Sequence, residues 1–324
     1  MSRGPVLVTG GAGYIGAILV RRLLQAGERV RVLDRMLHGA HGLSGLEAEE
    51  RLEVRTGDLR DPRTHDDALD GCDTVVHLAA IVGDKACALD EEVAVQTNWT
   101  ATVTLARRAA MRGVRRFVFA STCSVYGEGR NEILTEASPV RPLSLYAETR
   151  YHAERGILDV EKGPSFEPVI LRFGTVYGLS PRMRFDLVVN LLTLRAAREG
   201  TISIFGGSQW RPFVHVLDIA RALESAMVEA LPLEGDPILN VGDNLENYQL
   251  RDLAEYYENT FPGLRVRQAP EASDPRTYRV SFDRIERLWG FRASRRVPDG
   301  IEEIAAALRA GAIPDPGHPR YVNA

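Results

Sequence analysis

Cysteine is scarce: the 324 residues hold three, Cys72, Cys87 and Cys123, an odd number without CxxC spacing. That excludes a disulfide framework and points to a reducing cytoplasm. The seven histidines form no ligand spacing such as HExxH, so no metal is expected. No apolar run approaches the length of a membrane span. The first strand-like run, Pro5 to Thr9, lies so close to the initiator Met that no signal peptide is expected. Lys/Arg-rich blocks are absent and the formal net charge is −4, which leaves no electrostatic footprint for nucleic acid. What is there is ordinary globular material, 44% hydrophobic and 26% charged. The ligand should be small, with any phosphates met by a few placed arginines.

Short β-branched runs alternate with longer helical patterns through the first half. Val6-Leu7-Val8, Arg29–Leu33, Leu52–Arg55, Thr74–Leu78, Arg116–Ala120 and Pro168–Phe173 read as strands. Helices are expected over Tyr14–Ala26, from Pro62 to near Gly71, over Leu89–Arg112 and after Tyr146. Such alternation implies parallel pairing with right-handed crossovers, an α/β fold with a doubly wound sheet. After Gly174 the rhythm breaks. Residues 1–174 are therefore expected to form a dinucleotide-binding domain and 175–313 a smaller α/β lobe, without a clean boundary because the chain may return to the sheet. Residues 314–324, with three prolines, should fray.

Gly10-Gly11-Ala12-Gly13-Tyr14-Ile15-Gly16 stands between the first strand and the first helix. Glycines there permit a tight turn, close approach of backbone to a pyrophosphate and close helix–sheet packing, and the helix N-terminus favours negative charge. Asp34 ends the second strand, where a carboxylate bonds an adenosine ribose and repels a 2′-phosphate, so NAD is expected rather than NADP. Arg35 is the opposing signal.

Together with motifs downstream, these residues resemble the extended short-chain dehydrogenase/reductase family, in its sugar-nucleotide epimerase/dehydratase branch. The likeness runs over about residues 5–310. Its motifs include Gly57-Asp58-Leu59-Arg60-Asp61, His77-Leu78-Ala79-Ala80, Ser121-Thr122-Cys123-Ser124-Val125-Tyr126-Gly127, Tyr146-Ala147-Glu148-Thr149-Arg150 and Gln209–Val216. It implies a Rossmann-type sheet, an NAD cofactor and a nucleotide-diphosphate sugar as substrate. It further implies adenine contacts at Asp58 and Leu59, and a cofactor wall from Leu78, Ala79 and Ala80. A homodimer through the helices at Leu89–Arg112 and after Tyr146 follows from the same likeness.

The family's catalytic pair falls on Tyr146 and Thr122. A phenol of ordinary pKa, about 10, needs a nearby cation to serve as a base near neutrality. The family pattern is Tyr-x-x-x-Lys, but this chain carries Arg150. One helical turn puts Arg150 on the same face as Tyr146, and a guanidinium is bulkier and differently aimed than an ammonium. Arg150 either serves both the phenol and the nicotinamide ribose or marks a site without turnover. The family's dehydratases place acids just after the catalytic Thr. Cys123 and Ser124 stand here instead, which disfavours dehydration and leaves Ser124 to face the substrate. Cys123 is read as packing rather than as a base.

At the substrate end the likeness puts a pyrophosphate-binding arginine at Arg211, with Arg276 as a second. Thr175 holds the position of a family Asn. Asn190 is a candidate nucleotide contact from its helix or a capped or exposed residue. Val82 borders the sugar, and Lys85 is either a second acid/base or solvated. His215 is read as a core hydrogen-bonder. These features favour an NAD-dependent nucleotide-sugar epimerase acting at C4. A nucleotide-sugar ketoreductase or dehydrogenase with net redox, and a non-catalytic NAD-binding protein, are the alternatives.

Overall fold

The computed structural model describes residues 4–160, 166–230, 235–269 and 276–323, apart from the side chains at 130 and 131. The strand Val6–Thr9 is apolar along most of its length because it is buried on both faces in the middle of a parallel sheet. Seven strands form that sheet, in the order Ile238–Val241, Glu167–Phe173, Arg116–Thr122, Thr74–His77, Val6–Thr9, Val30–Asp34 and Leu52–Thr56. Every neighbouring pair is parallel. The winding reverses between Val6–Thr9 and Thr74–His77. The carboxyl ends of strands at such a switch point open the crevice in which these sheets take ligands.

The outermost strand, Ile238–Val241, comes from the second half of the chain and pairs with Glu167–Phe173. The helix Val216–Val228 likewise packs on the first helix, Tyr14–Gln25, and Arg22 bridges to Glu224 at 2.6 Å. Three small sheets stand over the crevice. Trp210–His215 pairs with Thr175–Tyr177 and Asn247–Gln249, Thr201–Phe205 with Arg265–Ala269, and Glu128–Leu134 with Thr277–Val280.

Two segments depart from expectation. The long helix expected over Leu89–Arg112 is divided. Asp90 caps a short helix Glu91–Val95, its carboxylate accepting the Val93 N–H at 3.0 Å. A π-helical stretch Gln96–Ala101 then leads into Thr102–Met111. The widened turn buries Asn98, whose amide bonds both the N–H and the carbonyl of Ile81, at 2.8 and 2.9 Å. The tail, expected to fray beyond Pro314, instead packs. Tyr321 is buried edge-on against Phe185, and its carbonyl accepts the Phe185 N–H at 2.8 Å. Among the described residues no helix is long and apolar enough to cross a membrane.

Candidate active site

At the switch point lies a cavity of about 940 Å³, at the upper end of the range for small-ligand clefts. The glycine turn forms its floor. Gly10 has φ +72°, and a Cβ there would lie 2.7 Å from the Ala79 nitrogen. At Gly16 a Cβ would lie 2.3 Å from the Gly10 carbonyl oxygen. The turn therefore packs directly on the Leu78–Ala80 exit of the fourth strand. Gly10, Gly13, Tyr14, Ile15, Gly16, Leu78, Ala79 and Ala80 all line the cavity, as do Asp34, Asp58 and Leu59.

Asp34 accepts the backbone N–H groups of Ala12 and Met36, at 3.0 and 2.8 Å, which fixes its carboxylate on the wall. Arg35 is turned to Asp58, 3.4 Å away, and Asp58 also pairs with Arg60 at 2.7 Å. The Arg60 bond in particular holds the Asp58 carboxyl below its usual range. Tyr14 serves the scaffold as well: its hydroxyl donates to the Gly178 carbonyl at 2.6 Å. Beneath the floor, His77 bonds Thr9 and Thr102 at 2.6 and 2.9 Å. Burial keeps its imidazole neutral far below the ordinary histidine range.

Tyr146 sits in the first turn of the helix Leu145–Leu158, on the cavity wall. Burial raises its phenol above the ordinary tyrosine value, and the Arg150 and Arg184 guanidinium groups pull it back. Arg150, one turn on, is 2% exposed and lies over the Phe119 ring, 4.3 Å from its centroid. One of its nitrogens donates to the Ala120 carbonyl, while Nε and Nη1 have no partner among the described residues. Buried donors without acceptors are costly. Their place on the cavity wall beside Tyr146 fits the ribose hydroxyls of a dinucleotide bound across the glycine turn.

Thr122 ends its strand with its hydroxyl 2.9 Å from that of Ser124, whose N–H it also accepts at 3.1 Å. Both line the cavity with Tyr146. Cys123 does not: it is fully buried and its thiol donates to the Arg172 carbonyl. Behind them a buried network holds the strand. Glu154 accepts from Ser121 and pairs with Arg172 at 2.6 Å, and Arg172 also donates to the Tyr126 hydroxyl at 3.0 Å.

Val82, Lys85, Thr175, Arg211 and Arg276 border the same cavity from its far end. Arg211 is buried, donates to the carbonyls of Trp210 and Arg276, and packs on Tyr278. Arg276 reaches Asp84 at 2.9 Å, joining the two sides of the cleft. Asn190 is corrected from a nucleotide contact to a pillar. It is fully buried off the cavity wall, and its amide is used by Tyr14, Arg184 and the Gly178 N–H. His215 pairs with Glu303 at 2.6 Å. Asn98, Arg182, Arg184 and Arg195 escaped the sequence reading, and the three arginines line the cavity. The alternation in Ser180-Pro181-Arg182-Met183-Arg184, just past the carboxyl end of the sheet, was the available signal for two of them.

Three comparisons meet this geometry. Residues 6–242 match the family described as "NAD dependent epimerase/dehydratase family". The chain is 29% identical over 308 residues to a UDP-glucose 4-epimerase of Halalkalibacterium halodurans, covering 88% of this chain and 90% of that protein. Among solved structures, MoeE5 in complex with UDP-glucuronic acid and NAD is 31% identical, with TM-score 0.80, over 95% of this chain and all (100%) of that one. DesIV, a dTDP-glucose 4,6-dehydratase from Streptomyces venezuelae with NAD and TYD bound, is 27% identical with TM-score 0.83, over 94% and 97%.

Proposed function

The chain belongs to the NAD dependent epimerase/dehydratase family and is an NAD-dependent enzyme of nucleotide sugars, and from that premise we propose that it is an epimerase acting at C4. One observation carries the choice within the family. The two positions after Thr122 offer no acid for eliminating water: Cys123 is sealed in the core and Ser124 is a hydroxyl bonded to Thr122. The surrounding wall supplies a phenol, a hydroxyl and a guanidinium, a set suited to moving one proton on and off one oxygen.

In this reading Tyr146 takes the proton of the sugar hydroxyl, with Thr122 holding the same oxygen by a hydrogen bond. Arg150 stabilises the phenolate. Bound NAD supplies a reversible hydride acceptor at the carbon bearing that hydroxyl. Gly10, Gly13, Ile15, Gly16 and Asp34 hold the cofactor at one end, and Asp58, Leu59 and Leu78–Ala80 complete its wall. Arg211 and Arg276 grip the substrate diphosphate, because a forked guanidinium matches phosphate oxygens in pairs. Anchored there, the sugar can present either face to the cofactor. Lys85, Val82 and Thr175 border it. The three free, buried cysteines suit a reducing cytoplasm, and a homodimer through the two helices of the Trp99–His152 contact completes the reading.

The test is a panel of UDP-glucose, UDP-glucuronic acid and dTDP-glucose, with products read by NMR and the ultraviolet absorbance of reduced nicotinamide followed in parallel. An epimerase yields the C4 epimer with no stoichiometric change in that absorbance. Reduced nicotinamide accumulating in proportion to substrate would replace this reading with a net redox enzyme.

A further inference from the structure

Arg182 is a buried cation outside every ion pair among the described residues. It is 3% exposed, and among the described residues no Asp or Glu lies within ion-pair distance of it. Its neighbour Arg184 is taken by Asp186 at 2.5 Å. Among the described residues Arg182 has one side-chain bond, from Nη2 to the side-chain oxygen of Asn323 at 2.5 Å, and its buried Nε has no partner. A guanidinium withdrawn from water in this way destabilises a fold unless an anion meets it. The side chain lines the cavity, as do Val322 and Asn323 from the tail. Burial and the adjacent Arg184 lower Arg182 to about 10, so it stays charged at neutrality, while Asp186 and then Asp34 pull the other way. His38, also on the wall, is pushed down to about 4 by burial and by both arginines. Two residues before Arg182, the Ser180 hydroxyl donates to the Tyr14 carbonyl at 2.7 Å, which ties this segment to the helix that follows the glycine turn.

We propose that Arg182 is a ligand of the dinucleotide's pyrophosphate, set in place by the C-terminal tail through Asn323. The tail then acts as a clasp on the cofactor. The bond to Asn323 holds one edge of the guanidinium on the cavity wall, while Tyr321 against Phe185 fastens the clasp to the body of the protein. This inference rests on the reading of the cavity as an NAD site, which direct binding to the unmodified chain tests separately.

The experiment measures dissociation constants by calorimetry for NAD, ADP-ribose and UDP, on protein stripped of nucleotide, with thermal melts of each variant. Arg182→Met should weaken NAD and ADP-ribose alike, by about tenfold or more, the loss expected for a charge-assisted bond to phosphate. UDP binding should not move. Without ligand the variant should melt no lower than the original protein, because it loses an unbalanced buried charge. Asn323→Ala should weaken NAD severalfold in the original chain and not at all on top of Arg182→Met. Loss of UDP affinity with NAD unchanged would reassign Arg182 to the substrate. A lower melting temperature with NAD affinity intact would make it a structural residue. Either result overturns the proposal, whereas failure of the unmodified chain to bind NAD would remove the cofactor reading itself.

Discussion

At the scale of single residues, the proposed chemistry turns on the Tyr146–Arg150 pair. Only two of the forty basic residues in the chain are lysines, Lys85 and Lys162. Arginine where the family carries lysine is thus in keeping with the whole sequence and gives no sign of a lost site. The guanidinium does what a cation must here, opposing the effect of burial on the phenol. The sign of the pH effect follows. A base acts only when deprotonated, so a raised phenol puts the rising limb of the rate profile on the alkaline side. Removing the opposing cation moves that limb further up. Arg150→Met should shift the limb of kcat to higher pH, and Arg150→Lys should leave it near its original place. Tyr146→Phe should reduce kcat by about 10²–10⁴-fold, the usual worth of a positioned general base, with NAD still bound. A limb indifferent to residue 150 would separate Arg150 from the phenol.

At the scale of elements, the helix Val297–Arg309 shows how a carboxylate can stabilise and burden a fold together. Glu246 is 1% exposed, accepts the Val297 N–H at 2.9 Å at the start of that helix, and accepts the Tyr248 hydroxyl at 2.8 Å. Burial nevertheless raises its carboxyl from 4.5 to about 7. The folded state thus holds the proton more tightly than the unfolded chain. Its contribution is fully present below about pH 4.5 and is lost as pH rises to about 7, at roughly 1.4 kcal/mol per unit. Glu246→Gln loses an acceptor and should be less stable at pH 5 by about 1–2 kcal/mol. Urea midpoints should therefore cross between pH 5 and pH 8, leaving the variant the more stable at pH 8, and parallel curves at both pH values would refute the assignment. Elements of this kind mark the limit of sequence reading. Strands of the central sheet were legible because burial on both faces leaves an apolar run, and the glycine turn because its function dictates residue type. The π-helical stretch at Gln96–Ala101 was not, since its cause is tertiary: Asn98 bonds the backbone of Ile81, far away in sequence. Asn190 was misplaced for the same reason, its partners being Tyr14 and Gly178. The tail was misjudged on its prolines, when a single aromatic, Tyr321, docks it.

For the molecule as a whole, the helix that bears the proposed catalytic pair also contributes to the surface proposed for assembly. Glu91–Val95, the π-helical stretch and Thr102–Met111 lie beside Leu145–Leu158 so closely that a Cβ on Gly156 would come within 2.4 Å of a Val103 methyl carbon. Their outer face keeps Trp99 38% exposed, stacked on His152 at 4.6 Å between ring centroids, with Met111 85% exposed further along. A large aromatic left half in water, on a pair of helices already locked to each other, is the kind of residue that anchors an interface. A second copy presenting the same face across a two-fold axis would cover it in the way closed dimers do. Because Tyr146 and Arg150 lie on one of these helices, assembly would also brace the catalytic wall. Sedimentation at micromolar concentration should therefore give a dimer, and Trp99→Glu should yield monomers by burying a charge against its symmetry mate. The monomer should fold, since Trp99 lies outside the hydrophobic cores, and should turn over more slowly. A monomeric original chain, or a Trp99→Glu variant that stays dimeric, would move the interface elsewhere and leave the stacked pair as surface decoration of the helices.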